Sequence, residues 1–350
     1  MSHSHAVIIR THASKGSHIT DPPPDASLAR QYGGNSAAGW LGRLPSSWLP
    51  FVQLARLSPP AAVILIFFPH LFGLLHAGIV DHKGPVCLLQ AALLLLVGSF
   101  FLSNTVHAWN DLVDAPLDAL VERTRNRPIP RKAITPLAAA LFALSQGAGA
   151  ALCLAFVPWL GGSPYAALYA LPGIASFLYY PYAKRHTYFP QLVLGLSLSW
   201  GIIMGSMAAG RAPSHVDWPT LCLYLASTLW VMIYDTIYAH QDLKDDIKAD
   251  IKSLAVLFQG RTKAALSVLL AAMAGLLVAC GWLSGMGVGF YILAAGGATA
   301  SLALMIVQVD LNSTSSCWWW FSNGFWLAGN AIAAGLFVEY VFAQGQHVSP

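Results

Sequence analysis

Two short segments of the sequence concentrate acidic side chains. The first reads NDLVDAPLDALVE and the second YDTIYAHQDLKDDIKAD, and together they hold more than half of the 15 Asp and Glu residues. The residues that recur every fourth position are Asn110, Asp114 and Asp118 in the first segment, and Asp242 and Asp246 in the second. A spacing of four places each set on one face of a helix. Pro116 lies inside the first segment, and we expect it to kink or restart the helix there.

Paired carboxylates of this kind suit a hard divalent cation. Mg²⁺ keeps several of its waters and is usually held by one or two carboxylates together with phosphate oxygens of a substrate. Both segments begin where a long apolar stretch ends, and acids at a membrane boundary are costly unless a cation meets them. We therefore predict that Asp114, Asp118, Asp242 and Asp246 bind Mg²⁺ and, through it, a diphosphate. The alternative for either segment alone is a solvated acidic loop.

Basic side chains follow the acidic segments closely. Arg123 and Arg127 lie in ERTRNRPIPRK, directly after the first segment, and Lys184 lies in YYPYAKRHTYFPQ. Guanidinium groups match phosphate oxygens in a bidentate geometry, and Lys contributes a point charge. We predict that these three residues bind the diphosphate. The alternative for each of them is a positive charge that only anchors a loop at the membrane surface.

Long apolar stretches must position these residues. Of the 350 residues, 56% are hydrophobic and only 10% are charged, whereas soluble domains carry about 25% charged residues. A bilayer crossing needs about 20 apolar residues in a helix. The sequence therefore predicts an all-α integral membrane protein with about nine transmembrane helices. The candidate spans are 59–80, 86–109, 134–157, 165–181, 190–210, 217–239, 263–284, 287–308 and 324–343.

The basic residues also give an orientation. With these spans, all of the 19 Lys and Arg residues except Lys83 and Arg211 fall on the side of the membrane that carries the amino terminus. Cytosolic loops are enriched in Lys and Arg, so the acidic segments are expected to face the cytosol. Because the positive charge is spread over loops at one membrane surface, the net charge of +4 does not indicate a nucleic-acid partner.

The amino-terminal 55 residues differ from the rest of the chain. They are polar, contain the run Pro22-Pro23-Pro24 and have no long apolar core of a secretory signal. We predict a largely disordered tail over 1–55, which becomes ordered near Trp48, and a membrane domain over 56–345. Asp21 and Asp25 argue against a mitochondrial transit peptide, which is poor in acids. We therefore expect the endoplasmic reticulum rather than the mitochondrial inner membrane.

Both acidic segments resemble the motifs of the UbiA-type intramembrane prenyltransferases. NDLVDAPLD is similar to their NDxxDxxxD motif, and DTIYAHQDLKDD is similar to their second motif, DxxYAxxDxxxD. YPYAKRHTYFPQLVLG and IKSLAVLFQG also resemble segments of this family, and the resemblance extends from about Arg56 to Asn330. It implies nine helices around a central cavity that opens laterally to lipid, with a prenyl diphosphate and the lipid bilayer as partners.

The resemblance also implies roles for individual residues. Asn110 matches a position that binds metal and diphosphate, Asp111 matches the further acid of the first motif, and Asp235 and Tyr238 match the upstream part of the second. We expect an allylic diphosphate to ionise and an electron-rich ring carbon to attack the resulting cation. Asp111 and Asp235 are candidates for the base that removes the ring proton, and water or diphosphate is an equal alternative.

The sequence predicts the substrates only through the subgroup of the family that it resembles. The RTRNRPIP segment looks most like fungal enzymes that prenylate aromatic or pyrone polyketides on the way to meroterpenoids, with farnesyl as the expected group. The 4-hydroxybenzoate polyprenyltransferases of ubiquinone synthesis share every motif and stay an alternative. An ion-coupled transporter is a third reading, but it should place acids near the bilayer midplane on broken helices.

Overall fold

The computed structural model describes residue 31 and residues 34–211 and 217–348. The predicted disorder of residues 1–30 therefore lies outside the described residues. Within the described ranges the chain consists of helices and connecting turns, without a β-strand. This architecture confirms the prediction of an all-α fold.

Twelve helices are sufficient to describe the architecture. They are α1 (Leu49–Leu54), α2 (Ala61–Val80), α3 (Pro85–Asp118), α4 (Pro136–Phe156), α5 (Ala166–Ala183), α6 (Pro190–Ala208), α7 (Trp218–Ala239), α8 (Leu243–Lys248), α9 (Leu254–Phe258), α10 (Thr262–Leu283), α11 (Val288–Gln308) and α12 (Thr314–Val348). Helix α6 is interrupted at Trp200, and α11 contains the π-helical stretch Tyr291–Gly297. Short 3₁₀ helices cover Gly39–Arg43, Pro158–Leu160 and Gln259–Arg261.

Eight helical segments of the described residues are long and apolar enough to cross a membrane. The predicted span 165–181 corresponds to α5, which is helical over 18 residues but is not one of the eight. Four tyrosines and two prolines lower the hydropathy of α5. The predicted count of about nine therefore includes one helix whose sequence is more polar than a typical crossing.

Proline and capping residues fix where several helices begin. Pro85, Pro136 and Pro190 stand in the first turn of α3, α4 and α6, where the missing N–H has no partner to lose. The side chain of Thr135 accepts a hydrogen bond from the amide of Ala138 at the start of α4. Such caps satisfy backbone N–H groups that have no partner within the helix.

Pro116 does not end or restart α3. The helix continues through this residue and ends at Asp118, so the prediction of a restart is wrong. Pro116 lacks the N–H that would bond the carbonyl of Leu112, so the helix loses one backbone hydrogen bond. It nevertheless continues through Leu117 to Asp118. Asn110, Asp114 and Asp118 therefore stay one turn apart on a single helix.

Helices α2, α6 and α7 form the centre of the bundle. An added Cβ at Gly73 would lie 2.0 Å from the carbonyl oxygen of Ile202, and one at Gly205 would lie 2.0 Å from that of His70. Only glycine permits this approach, and small residues commonly mediate close helix contacts in membranes. The leucines of α4, by contrast, are largely exposed, for example Leu144. Helix α4 therefore lies at the outside of the bundle, where lipid would surround it.

Helix α1 begins directly after Trp48, where the tail is predicted to become ordered. Leu54 in α1 is completely buried, and it packs in an apolar cluster with Ala108, Ile129 and Ala143. The side chain of Gln53 accepts a hydrogen bond from Arg131. The predicted boundary between residues 55 and 56 therefore falls inside a segment that packs against the membrane helices. That segment ends next to the acidic residues of α3.

Candidate functional site

One polar cavity at an end of the bundle collects most of the predicted residues. It has a volume of about 200 Å³ and lies between α2, α3, α5, α6, α7 and α12. Every predicted site residue except Asp111 and Asp114 lines it. The predicted residues in its wall are Asn110, Asp118, Arg123, Arg127, Lys184, Asp235, Tyr238, Asp242 and Asp246. The two acidic segments, more than 100 positions apart, thus face one cavity.

Arginines hold the carboxylates of the first segment. Asp111 is 1% exposed and accepts hydrogen bonds from Arg56 at 2.6 Å and from Arg127 at 3.2 Å. The same Arg127 nitrogen donates to Asp118 at 3.0 Å. Burial lowers the pKa of Arg127, but Asp118 and Asp111 outweigh it and raise the pKa above its ordinary value. Asp111 is thus enclosed by two guanidinium groups behind the cavity wall.

Asp114 is the most deeply buried carboxylate of the site. Its side chain is 0% exposed, and Oδ2 accepts a hydrogen bond from Lys184 Nζ at 2.6 Å. Its second oxygen, Oδ1, is buried without a hydrogen-bond partner, and so is the side-chain oxygen of Asn110 one turn earlier. Buried acceptors without a partner are rare in proteins. Two side-chain oxygens on successive turns of α3 therefore lack a hydrogen-bond partner, that of Asn110 in the cavity wall and that of Asp114 just behind it.

The second segment carries a comparable contact. Arg123 donates to Asp242 at 2.8 Å and to the hydroxyl of Tyr238 at 2.8 Å. Its guanidinium carbon also lies 4.9 Å from the centre of the Tyr238 ring, within the range of a cation–π contact. Burial lowers the pKa of Arg123, but Asp242 and Tyr238 outweigh it and raise the pKa above its ordinary value.

Asp246 stands apart because it forms no ion pair with any other described residue. It is 8% exposed, and within the described part of the chain no Lys, Arg or His lies at ion-pairing distance from its carboxylate. Burial, together with the neighbouring charge of Asp242, raises the pKa of Asp246 to about 7. A carboxylate in this setting is stabilised by a cation supplied from outside the chain.

The donor set fits a divalent cation that is shared with a ligand. Among the described residues, no three His, Cys, Asp or Glu side chains come close enough to hold a metal by themselves. The predicted four carboxylates therefore do not form a complete protein cage. Mg²⁺ typically takes one or two carboxylates and completes its shell with water and substrate phosphates. The unpartnered oxygens of Asn110 and Asp114 and the unpaired Asp246 fit that division of ligands.

Arg56, Tyr180 and Gln191 are polar wall residues that were not predicted as site residues. Arg56 follows α1 and was interpreted as one of the loop charges at the membrane surface, although it contacts Asp111. Tyr180 lies in the quoted YYPYAKRHTYFPQ segment, and so does Gln191 at its far end. Gln191 hydrogen-bonds the side chain of Asp235 and accepts from the amide of Leu254 at 3.0 Å. The polar residues of this segment stand out in an otherwise apolar region. They were the sequence signal that could have identified Tyr180 and Gln191 as wall residues.

Lys184 provides a test of the basic side of the cavity. Replacing Lys184 by alanine is expected to lower kcat/KM for a diphosphate substrate by about 10- to 100-fold, because a preorganised cation is lost. The matched control is Lys248→Ala, since Lys248 is 77% exposed and forms only a local ion pair. Steady-state kinetics would give kcat/KM for both variants. An equal fall in the two would contradict the assignment of Lys184 to the diphosphate site.

Comparisons with known proteins agree with this geometry. The model of the UbiA prenyltransferase family matches residues 66–329. The chain is 33% identical over 285 residues to the prenyltransferase ascA of Acremonium egyptiacum, which covers 78% of this chain and 81% of the relative. It is 34% identical over 304 residues to the mitochondrial 4-hydroxybenzoate polyprenyltransferase of Schizosaccharomyces pombe, which covers 85% and 83%.

A solved structure supports the fold. A UbiA homolog from Archaeoglobus fulgidus, bound to GPP and Mg²⁺, is similar with a TM-score of 0.60 and covers 83% of this chain and 99% of its own. The sequence identity is 17%, so this likeness concerns the arrangement of the helices. The predicted membrane fold around a central cavity is therefore confirmed.

Proposed function

Because this chain belongs to the UbiA prenyltransferase family, we propose that it transfers an isoprenyl group from an allylic diphosphate to a ring carbon of an aromatic or pyrone acceptor. The observation that carries the proposal is the single cavity in which both acidic segments meet Arg123, Arg127 and Lys184. Its other walls are apolar and aromatic. A charged head group and an apolar substrate body would thus fit in one site.

The three cations favour departure of the diphosphate. When the bond between the allylic carbon and oxygen breaks, the electron pair stays on the diphosphate. Preorganised donors aimed at the place where this charge develops are worth most in a site that excludes water. In the described structure these cations neutralise Asp114, Asp118 and Asp242, so a bound diphosphate would compete with these carboxylates for the same charges.

The four predicted carboxylates, together with Asn110, would hold Mg²⁺ in the substrate complex. Bound there, Mg²⁺ would supply positive charge that neutralises the leaving diphosphate. This assignment is supported by the unpartnered oxygens of Asn110 and Asp114 and by the unpaired Asp246. If Mg²⁺ neutralised Asp114, Asp118 and Asp242, the cationic side chains that now pair with them would be released to contact phosphate.

Aromatic side chains line the part of the cavity that would hold the acceptor. The ring centre of Phe321 lies 4.3 Å from that of Tyr238 and 5.9 Å from that of Tyr234. Ring faces bind flat aromatic acceptors and attract carbocations electrostatically. Asp235 lies on the same wall and is our candidate for accepting the ring proton. Asp111 is less suited to this role, because it is outside the wall and already engaged by two arginines.

The relatives include enzymes of two pathways. The name of the S. pombe relative states a mitochondrial location and 4-hydroxybenzoate as the substrate. The name of ascA states only that it is a prenyltransferase. We propose the first subgroup, with a farnesyl donor and a phenolic or pyrone polyketide acceptor of meroterpenoid type. The proposed location is the endoplasmic reticulum with the cavity mouth facing the cytosol. The ubiquinone-pathway activity is the second candidate.

A direct assay tests the proposed reaction. Microsomes that contain the protein should convert farnesyl diphosphate and a phenolic polyketide acid into a product heavier by one farnesyl group, detected by mass spectrometry. Excess chelator should lower the rate by at least about 100-fold, because metal charge stabilisation is worth several kcal/mol. Microsomes without the protein are the control.

The assay also separates the alternatives. Preferential use of 4-hydroxybenzoate with longer donors would favour the ubiquinone-pathway candidate. Product formation that survives excess chelator would contradict the metal-dependent mechanism. Uptake of a substrate into proteoliposomes without any covalent product would support the transporter reading and overturn the proposed function.

A further inference from the structure

The Lys and Arg side chains that line the polar cavity differ in their partners. Four of them are paired with carboxylates, namely Arg56 with Asp111, Arg123 with Asp242, Arg127 with Asp111 and Asp118, and Lys184 with Asp114. The remaining one is Lys252, which also lines the cavity but forms no ion pair with any carboxylate in the described part of the chain. The charge of Lys252 is therefore available to an anion from outside the chain.

Neutral groups hold Lys252 in the wall. Its main-chain amide donates to the carbonyl oxygen of Lys184 at 2.8 Å, and its Nζ donates to the carbonyl oxygen of Arg185 at 3.2 Å. A lysine ammonium has three donors, and a carbonyl oxygen engages one of them without neutralising the charge. Lys252 is thus fixed next to Lys184, one of the residues predicted to bind the diphosphate.

The turn that ends α8 brings Lys252 to the cavity. After Lys248 the chain reverses through Asp250, which has φ of 52°, and the amide of Ile251 donates to the carbonyl oxygen of Asp246 at 2.9 Å. A left-handed residue followed by such a hydrogen bond is a common way to end a helix. Ile251 is then buried in the cavity wall. The same turn therefore places both Asp246 and Lys252 at the cavity.

Asp246 is the acidic counterpart of Lys252. It lines the same cavity, and within the described residues it pairs neither with Lys252 nor with another cation. Two opposite charges that are kept apart in one cavity leave a place for a ligand that carries both signs. A diphosphate with its Mg²⁺ is such a ligand, because the carboxylate suits the metal and the ammonium group suits phosphate oxygens.

We propose that Lys252 binds the diphosphate of the donor, and that it does so before Mg²⁺ is present, while the other cations of the cavity are still paired with carboxylates. The inference rests on the proposed function, because it needs a diphosphate donor in the polar cavity. Each paired cation would leave a buried carboxylate uncompensated if it turned to phosphate without a metal, which is costly. Lys252 would give up only a contact with a neutral carbonyl.

Binding of inorganic pyrophosphate without metal tests the proposal. Calorimetry on the full-length protein in detergent, in buffer freed of divalent cations, should show binding that Lys252→Gln weakens by about 10- to 100-fold, the usual loss for a hydrogen bond to a charged group. The glutamine keeps an N–H for the carbonyl of Arg185, so the variant removes mainly the charge. Lys252→Arg should recover most of the affinity. The matched control is Lys248→Gln, because Lys248 is 77% exposed, and it should bind pyrophosphate normally.

A second measurement needs no variant. Lys252 in the unmodified protein is acylated with an amine-reactive ester, and the extent of modification is read by mass spectrometry. Without divalent cations, pyrophosphate at ten times its dissociation constant should slow the modification of Lys252 by about tenfold through mass action. The modification of the exposed Lys248 should not change. This protection experiment decides the question if a Lys252 variant does not fold.

The outcomes separate this inference from the proposed function. If the protein prenylates no acceptor with any donor, the proposed function fails, whereas pyrophosphate binding reports on Lys252 without any acceptor. Unchanged affinity in Lys252→Gln, no protection of Lys252, or no pyrophosphate binding until Mg²⁺ is added would each overturn the inference. Stronger protection by 4-hydroxybenzoate than by pyrophosphate would assign Lys252 to the carboxylate of an acceptor, and it would overturn the inference as well.

Discussion

Replacing Asp246 by asparagine should lower kcat by at least about 100-fold, since several kcal/mol of charge stabilisation on the leaving diphosphate would be lost. The same variant should leave thermal stability unchanged or higher. Asp246 has no cationic partner among the described residues, and burial raises its pKa to about 7. Removing a buried charge that has no ion-pair partner relieves a desolvation cost. Loss of activity without loss of stability would show that Asp246 serves ligand binding and does not support the fold.

Two measurements decide this prediction. Turnover is measured with saturating donor and acceptor, and thermal unfolding is measured in detergent without substrate. The matched control is Asp250→Asn, which makes the same chemical change in the same segment. Asp250 is exposed and has φ of 52°, a conformation that asparagine tolerates well. The control should keep both its turnover and its unfolding temperature.

Either of two results would contradict the assignment of Asp246. Normal turnover in Asp246→Asn would show that this carboxylate does not act on the diphosphate. A large fall in unfolding temperature would show that Asp246 supports the fold through a contact, and its loss of activity would then carry no functional meaning. The Asp250 variant excludes a general effect of removing charge from this segment.

The sequence predicted the fold and most of the charged residues in the cavity wall for a physical reason. Membrane spans need long apolar stretches, and a fourfold spacing puts residues on one helical face. Both rules are local, so they can be applied to one sequence. They placed Asn110 and Asp118 in the same cavity as Asp242 and Asp246. The metal and diphosphate roles of these residues stay predictions.

The unpredicted parts depend on contacts between distant segments. Asp111 was a candidate base because its motif is acidic, but its partner Arg56 lies 55 positions earlier and was counted as a surface charge. Gln191, in the first turn of α6, reaches Asp235 and the amide of Leu254, and these partners lie 44 and 63 positions later in the chain. Pro116 was expected to kink or restart α3, yet the helix continues through it to Asp118. Pairings of this kind need three-dimensional information.

The pair formed by Arg56 and Asp111 should have the largest single effect on stability. Both side chains are buried, and their atoms lie 2.6 Å apart. Breaking a buried pair by removing one partner typically costs about 3–5 kcal/mol, so Arg56→Met should destabilise the protein by this order. Asp111 would then rely on Arg127, which already contacts Asp118. Because Arg56 also lines the cavity, we expect at least a tenfold loss of kcat/KM.

A double-mutant cycle separates this pair from a general effect of the segment before α2. The cycle comprises Arg56→Met, Asp111→Asn and the double variant, each measured by unfolding in detergent. If the two charges stabilise each other, the double variant should be more stable than the sum of the single effects predicts, by about 1–3 kcal/mol. The control is Arg43→Met, since Arg43 is exposed in the same segment. Additive effects of Arg56→Met and Asp111→Asn would show that Arg56 acts through its packing, and the chain before α2 would then contribute apolar contacts alone to the site.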